Sequence, residues 1–462
     1  MTQTRAMSQS KRVLVVGLGS SGQAVVEHLL RQGVSVLATD LHEDPQFAAG
    51  LKRLQDLGAE LHLGPHRPRD FMEVDQIIVS PGVPLDLEPL RRADADGIEI
   101  IGELEWAWRQ TQVPVVAITG TNGKTTTTSL LGEILQAAGR RVFVGGNIGT
   151  PLSQWLLTGP AVDLLVLEVS SFQLDTAPTF RPQVGIVLNI TEDHLDRYTS
   201  FQVYGESKFA LFRHQRPDDI AIVNGDDPQC RQRLGQVSSR LLTFSRESSD
   251  VQAFISGNDV LVRVEGAEPL KVDLSSCALK GPHNAENIAA AVLAAKTLGV
   301  ADAVIVTVLS QYRGLPHRVE WVGSQQGVDF YDDSKATNVG AVVKALDNFQ
   351  RPVLLLAGGR DKYGSYQPLH EPLRSKVKGL FLFGEAAPRM VRELSGVVPA
   401  HLANDLPEAF GKAVALAETG DVVLLSPACS SFDQYESYAR RGDHFKQLVG
   451  ELTHPKGAQC HG

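Results

Sequence analysis

The sequence predicts an α/β chain of three consecutive domains, each built on a largely parallel sheet. Three observations point there. The chain has 462 residues, too many for one core, and its 43% hydrophobic content is ordinary for a globular protein. Two apolar, β-branched runs each break into a glycine loop that opens a helical stretch, at Gly17–Gly22 and at Gly120–Thr125. Strand-like and helix-like segments then keep alternating to about Leu425, the pattern of parallel strands joined by helical crossovers.

The first domain is assigned to residues 1–112. Arg12-Val13-Leu14-Val15-Val16 reads as a strand and Gly17-Leu18-Gly19-Ser20-Ser21-Gly22 as the turn into a helix ending near Arg31. A second strand, Val34 to Thr39, closes on Asp40. A G-x-G-x-x-G string after a strand, with an acid closing the next strand, is a full Rossmann fingerprint. The glycines admit a diphosphate to the helix N-terminus and the acid takes up a sugar hydroxyl. By motif alone NAD is the favoured ligand. A further strand, Gln76 to Val79, runs into Ser80-Pro81-Gly82, and a helix from Gly102 to Arg109 closes the domain.

Thr111-Gln112-Val113-Pro114 reads as a linker, because Pro114 cannot continue the helix. The second domain, residues 113–312, is a P-loop-type parallel sheet. Its strands include Val115 to Ile118, Val142 to Val144, Leu164 to Val169, Gly185 to Leu188 and Ile220 to Val223. A helix runs from Thr126 to Ala138, and a turn-rich stretch alternating in period two, Ser248 to Leu274, reads as a small β excursion. An Ala-rich helix follows, Asn284 to Leu298, with Asn284 suited to cap it. The third domain, residues 313–462, is Rossmann-like. Its strands are Val353 to Ala357, Gly379 to Phe383 and Val422 to Leu425, its helices Val339 to Asp347 and Pro407 to Ala417.

Bulk properties narrow the function. A net charge of -9 with no long basic run argues against nucleic acid as the main partner. Cys230, Cys277, Cys429 and Cys460 are scattered with no C-x-x-C pair, so neither a disulfide framework nor a zinc site is indicated and a reducing cytoplasm is expected. No apolar run approaches membrane-spanning length. A monomer acting on small molecules is expected.

The most informative string is Gly120-Thr121-Asn122-Gly123-Lys124-Thr125. Backbone N–H groups and a helix N-terminus face an anion, Lys adds positive charge, and a hydroxyl reaches magnesium, so ATP is the expected ligand. The common G-x-x-x-x-G-K-[ST] spacing would put a glycine at Ile118, whereas here the first glycine comes two residues later. Glu168, closing an apolar strand, is a candidate magnesium ligand, because acids at carboxyl ends of parallel strands enter the ligand crevice. Alone, it would read as a surface Glu. Asn189 to Asp196 is a polar cluster directly after a strand. Its His194 fits a functional role and a capping or core role equally. Lys208, in the expected helix Glu206 to Phe212, reads by itself as an exposed Lys on a solvated face.

Thr119 to Thr126 resembles the ATP loop of the Mur ligases and folylpolyglutamate synthetases. Further strings resemble the Mur ligases throughout. They are Gly145-Gly146-Asn147-Ile148-Gly149, Leu167 to Leu174, Asn189 to Tyr198, Gly281-Pro282-His283-Asn284, Gly314 to Arg318, Asp333 to Asn338, Leu425 to Gln434 and Arg441-Gly442. They span all three domains in order. The resemblance implies that ATP phosphorylates the carboxylate of UDP-N-acetylmuramoyl-L-alanine and that the amine of D-glutamate then displaces phosphate, in cytoplasmic peptidoglycan precursor synthesis.

It also implies roles, position by position. Gly120, Thr121, Asn122, Gly123, Lys124, Thr125 and Thr126 cradle the ATP phosphates, with Thr125 near magnesium. Glu168 and His194 match ligands of two Mg2+ ions, and Lys208 matches the family's lysine carbamylated by CO2, an anion able to help bind metal. Carbamylation needs a neutral amine, so the site must lower a pKa normally near 10.4. Asn284, Asn287, Arg318 and Asp333 match adenosine and phosphate contacts. Ser20, Ser21, Asp40, Ser80, Gly82, Asn147 and His194 match the UDP-substrate side, so UDP replaces NAD at the first glycine loop. Lys335, Thr337, Lys362, Ser431 and Tyr438 match the D-glutamate end. Four rival readings stand beside this one. A relative adding a diamino acid would carry Asp-Asn-Pro-Arg, which is absent. A folylpolyglutamate synthetase leaves the first domain without a use. A nucleotide-binding oxidoreductase built on the Gly17 fingerprint leaves the central loop and metal candidates unexplained. A non-catalytic nucleotide sensor would show no substrate-stimulated phosphate release.

Overall fold

The computed structural model describes residues 11–41, 47–193, 197–277, 279, 281–361, 365–394 and 396–453. They form three sheets. The first joins β1 (Arg12–Val16), β2 (Ser35–Asp40), β3 (Glu60–Leu63), β4 (Gln76–Val79) and β5 (Glu99–Gly102), all parallel, in the order β3-β2-β1-β4-β5. The chain starts in the middle, winds outward through β2 and β3, then crosses to β4. That reversal leaves a crevice beyond the carboxyl ends of β1 and β4, where ligands bind in open α/β sheets.

The second sheet has nine strands: β6 (Val115–Thr119), β7 (Val142–Gly146), β8 (Leu164–Glu168), β9 (Val184–Val187), β10 (Ile220–Asn224), β11 (Arg240–Ser245), β12 (Ala253–Ser256), β13 (Asp259–Val262) and β14 (Leu270–Asp273). Their order is β14-β13-β12-β11-β10-β9-β6-β8-β7. Strands β7 to β12 pair in parallel, and the β12–β13 and β13–β14 pairs are antiparallel. The small β excursion is thus an antiparallel extension of the sheet. All five residues of β6 are buried, as expected for a central parallel strand covered on both faces. The order reverses at β6, which places the Gly120 loop at the second crevice.

The third sheet runs β15-β16-β20-β17-β18-β19, from β15 (Glu320–Gln325), β16 (Val328–Asp332), β17 (Val353–Gly358), β18 (Val377–Phe383), β19 (Ala400–Leu402) and β20 (Val422–Ala428). Only the β15–β16 hairpin is antiparallel. Its two-residue turn, Gln326-Gly327, has positive φ at both positions, as a tight hairpin requires. Here the reversal lies between β17 and β20.

The chain divides into two compact units, Met1–Cys277 with Pro282–Tyr312, and Ala278–Gly281 with Arg313–Gly462. The first unit contains the first two sheets. One hydrophobic cluster runs through both, including Val25, Trp106, Leu152 and Phe180. Polar contacts reinforce it: Gly102 N donates to Thr176 O at 2.7 Å, and Ser153 N to buried Glu103 Oε1 at 2.7 Å.

Several local expectations change. The helix expected from Gly102 begins at Glu103, because Gly102 closes β5. The helix after the phosphate loop begins at Lys124 rather than Thr126. The Ala-rich helix spans Pro282–Thr297, so Asn284 lies within it and does not cap it. The edge strands β3, β15 and β19 and the C-terminal helix Tyr438–Thr453 were not anticipated. They are short or polar, and lack the long apolar runs that mark buried elements.

Candidate active site

The central crevice forms around the loop between β6 and the helix Lys124–Ala137. Gly120 has φ +150° and Gly123 φ +84°, regions open to glycine and strained for other residues. A Cβ at Gly123 would stand 2.1 Å from Asn287 Oδ1. Asn189, just past β9, clamps the loop. Its carbonyl accepts from Thr121 N, its Oδ1 from Asn122 N, both at 2.9 Å, and its Nδ2 donates to Asn122 O at 3.1 Å. Lys124 Nζ donates to Gly120 O at 2.9 Å and Thr121 O at 3.0 Å, folding its ammonium over the loop. Thr125 and Thr126 follow in the first helical turn. Gly123→Ala is expected to drive the loop off Asn287 and to weaken ATP binding at least tenfold with the fold intact; calorimetric titration of ATP against both proteins checks this.

Glu168 closes β8 opposite Ile118 of β6 and is buried. Its Oε1 accepts from Asn147 Nδ2 at 2.7 Å, while its Oε2 has no partner among the described residues. Gly146, at φ +98°, allows that approach: a Cβ there would lie 2.5 Å from Glu168 O, and Asn147 N donates to the same oxygen at 2.9 Å. A buried carboxylate oxygen without a donor is costly unless something cationic meets it.

Lys208 is not the exposed residue expected from its helix alone. It lies on the helix Phe201–Phe209, is only 2% exposed, and donates from Nζ to Gly120 O at 3.0 Å. Its amine sits 4.6 Å over the Tyr204 ring. Burial, reinforced by the nearby Lys124 charge, lowers its pKa to about 7, against the opposing pull of Asp193, Asp175 and Glu168. The neutral amine is therefore well populated near neutrality, as the expected carbamylation requires. The donor set around the loop, a half-used buried carboxylate with hydroxyl and carbonyl oxygens nearby, fits a hard divalent cation. His194 lies outside the described residues.

Asn287 is buried, with Oδ1 3.4 Å from Thr127 Oγ1 and Nδ2 donating to Asn284 Oδ1 at 3.2 Å. The structure thus brings Asn287, and Asn284 beside it, to the phosphate loop.

In the first sheet's crevice, Gly17 has φ +90° and a Cβ there would meet Ser80 Cβ at 2.8 Å; at Gly22 it would lie 1.9 Å from Gly17 O. Ser80 Oγ donates to Gly17 O at 2.9 Å, and Asp40 Oδ2 accepts from Leu18 N at 2.6 Å. Asp40 thus fixes the loop directly. Ser20 and Ser21 open the helix Ser20–Arg31, whose first turn has no acidic residue and no side-chain cap among the described residues. Its free N–H groups suit a diphosphate. Gly82 lies in the turn after β4. Ser153 Oγ donates to Ser21 O at 3.3 Å, tying this crevice to the helix after the Asn147 loop.

The second compact unit gathers the remaining candidates around the carboxyl ends of β16 and β20. Asp333 follows β16, buried. Ser426 Oγ donates to its Oδ2 at 2.7 Å and Val319 N to its Oδ1 at 3.2 Å. Burial raises its pKa to about 7, against the lowering effect of these bonds and of Arg318. Lys335 Nζ lies 3.8 Å over the Tyr438 ring. Thr337 follows on the same loop, and Ser431 is buried past β20. Lys362 lies outside the described residues.

Four residues with structural weight had no role assigned from the sequence. Tyr204 brings its hydroxyl 3.2 Å from Thr121 Oγ1, and Asn189 clamps the phosphate loop. His317, at φ +63°, holds Asp332 at 2.6 Å and accepts at its carbonyl from Lys335 N at 3.1 Å. Arg441 is fully buried and donates to Ser334 Oγ and O, Cys429 O, Ser430 O and Gly358 O. Gly442 beside it leaves room for His317: a Cβ there would lie 2.1 Å from its Nδ1. The Arg-Gly string was the available signal, without an indication of its partners. His317, Glu320 and Asp332 offer three ligand atoms within 4.8 Å of one another. Glu320 already takes Lys446 Nζ at 2.7 Å and His317 N at 2.8 Å, and Asp332 takes Ser334 N at 2.9 Å, so this cluster is a polar network within the fold.

Comparison with known proteins matches three family profiles: "Mur ligase MurD-like, N-terminal domain" over residues 11–102, "Mur ligase middle domain" over 118–295, and "Mur ligase, glutamate ligase domain" over 317–429. The UDP-N-acetylmuramoylalanine–D-glutamate ligase of Geotalea daltonii is 45% identical over 98% of this chain and 99% of its own length. That of Desulfosudis oleivorans is 45% identical over 96% and 97%. Among solved structures, the UDP-N-acetylmuramate–alanine ligase MurC of Thermotoga maritima aligns with a TM-score of 0.58 at 19% identity, over 96% of this chain and 100% of that one. The MurF ligase of the same organism, in complex with ADP, aligns at 0.57 and 19%, over 96% of each. These two likenesses show the three-sheet α/β fold.

Proposed function

The chain belongs to the Mur ligase family, and on that basis we propose that it joins D-glutamate to UDP-N-acetylmuramoyl-L-alanine, driven by ATP. The reaction is a step of peptidoglycan precursor synthesis, and we assign it to the cytoplasm and to a monomer. The observation that carries the reading is that Lys124 and Lys208 both donate to Gly120 O while buried Glu168 closes the strand beside β6, in a chain so similar to D-glutamate-adding relatives.

A carboxylate is a poor acyl donor, and phosphorylating one of its oxygens converts that oxygen into a leaving group. The chain's task is to align three anionic substrates and to offset charge on the transferring phosphoryl group. Lys124 turns from its loop carbonyls to the transferred phosphate, while the N–H groups of the clamped loop hold the others. Asn284 and Asn287 face the nucleotide across the loop. Ser20, Ser21, Asp40, Ser80 and Gly82 hold UDP at the first crevice, in place of NAD, and Asn147 carries the sugar side toward Glu168. Glu168, Thr125, His194 and Lys208 as its carbamate would hold two magnesium ions, which when bound neutralise phosphoryl oxygens. Carbamate formation is R–NH2 + CO2 → R–NH–COO− + H+, and Lys208 enters it as the neutral amine. Arg318, Asp333, Lys335, Thr337, Lys362, Ser431 and Tyr438 serve the nucleotide and D-glutamate ends from the third domain, residues 313–462.

An isotope test addresses the acyl-phosphate step. With 18O in the carboxylate of UDP-N-acetylmuramoyl-L-alanine, one labelled oxygen is expected in each released phosphate, read by mass spectrometry. Unlabelled phosphate, with product formed, would show that the carboxylate oxygen is never phosphorylated.

A further inference from the structure

One cavity lies outside all three crevices. It has a volume of about 540 Å3 and is lined by Trp108, Arg109, Gln112, Arg181, His214 and Arg216, among others. These residues precede their strands: Gln112 leads into β6, Arg181 into β9 and Arg216 into β10. The Gly120 loop and Asn189 follow the opposite ends of β6 and β9. A five-residue strand spans about 16 Å, so the two places are separated by the length of the strands.

The chemistry of the lining is distinctive. Among the described residues no carboxylate lines the cavity, although the chain carries a net charge of -9. Two of its arginines are held from behind. Arg109 donates from Nε to Glu105 and from Nη1 to Glu99, and Arg181 donates from Nε and Nη2 to Asp219. Each keeps one guanidinium nitrogen unbonded among the described residues, Nη2 of Arg109 and Nη1 of Arg181. Arg216 and His214 are exposed, and no carboxylate engages the Arg216 side chain among the described residues. Gln183 Oε1 accepts from Val115 N at 2.6 Å, and its amide nitrogen has no partner among the described residues. The cavity thus combines pre-oriented guanidinium groups and spare N–H donors, at a size suited to a small ligand.

We propose that this cavity binds a small phosphate-bearing anion, which bridges the linker Thr111–Val113 to the amino ends of β9 and β10. The site is separate from the ATP phosphates, and no step of the ligase reaction uses it.

Pyrophosphate is the probe, and amide hydrogen exchange on the full chain is the readout. Pyrophosphate is expected to protect residues 109–113 and 214–216 in the unaltered protein and in Lys124→Ala, whose phosphate loop is impaired. In Arg216→Glu and Arg216→Gln the midpoint for that protection should rise at least tenfold, while protection of the Gly120 loop and the ligase rate stay within twofold. The Gln variant separates lost binding from any folding defect of the Glu variant. Protection confined to the Gly120 loop or the Ser20 helix, or unchanged midpoints in both Arg216 variants, would overturn the proposal.

Discussion

Lys208→Ala is expected to lose ligase turnover by on the order of 100- to 1000-fold, the scale of removing one preorganised electrostatic group, and to recover part of it with added acetate or formate. The argument is structural. Lys208 is buried with its amine on Gly120 O, in a setting that lowers its pKa to about 7. A lysine placed there only for packing would be replaced at a cost in stability, and no small carboxylate would restore activity. A lysine that carries a carbamate leaves behind a cavity that a short carboxylate fills with the same charge. Steady-state rates with and without acetate, and the carbamate signal of 13C-bicarbonate-treated protein, separate the two. Unchanged turnover in the variant would remove Lys208 from the mechanism.

Arg441→Met is expected to lower the stability of the second compact unit by about 3 kcal/mol or more, since charged hydrogen bonds are worth roughly 1.5–3 kcal/mol each and orphaned acceptors add a further cost. Arg441 bonds at once to Ser334, Gly358 and the Cys429–Ser430 turn, three segments that meet at the carboxyl ends of the third sheet. Burial lowers its pKa to about 10, so it stays charged at neutral pH. Lys335 and Ser431 flank these segments, so the KM for D-glutamate should rise more than the KM for ATP. Arg441→Lys keeps the charge but lacks the planar fork, and should recover less than half of the lost stability. Thermal melts and KM values of both variants check this.

The sequence showed the main architecture because glycine loops and buried strands leave strong local signals. Val115-Val116-Ala117-Ile118 followed by Gly120 to Thr125 is unmistakable as strand, loop and helix start, and the alternating stretch Ser248 to Leu274 is the antiparallel extension β12 to β14. What stayed hidden depends on contacts far apart in sequence. Nothing in Glu206 to Phe212 reveals that Lys208 reaches Gly120, 88 residues earlier. Asn284 looked like a helix cap because Asn is common there, yet Pro282 starts the helix and Asn284 turns toward Asn287. The β15–β16 hairpin and the edge strands escaped notice because half-exposed strands carry mixed polarity, and the Arg441-Gly442 string gave no sign of the buried carbonyls Arg441 serves. Glu168 was a metal-ligand candidate from its place at a strand's carboxyl end below a phosphate loop, and the resemblance added Lys208. The structure added why each is chemically suited: one oxygen without a donor among the described residues, and one amine with a lowered affinity for a proton.

The most direct measurement is ADP release by the purified protein with ATP, magnesium and UDP-N-acetylmuramoyl-L-alanine, against a panel of D- and L-amino acids, with product masses determined. ADP release coupled to a product one glutamyl residue heavier, with D-glutamate preferred over L-glutamate, L-alanine and diamino acids, is the predicted result. No release with D-glutamate, or equal release with every amino acid, would contradict the assignment.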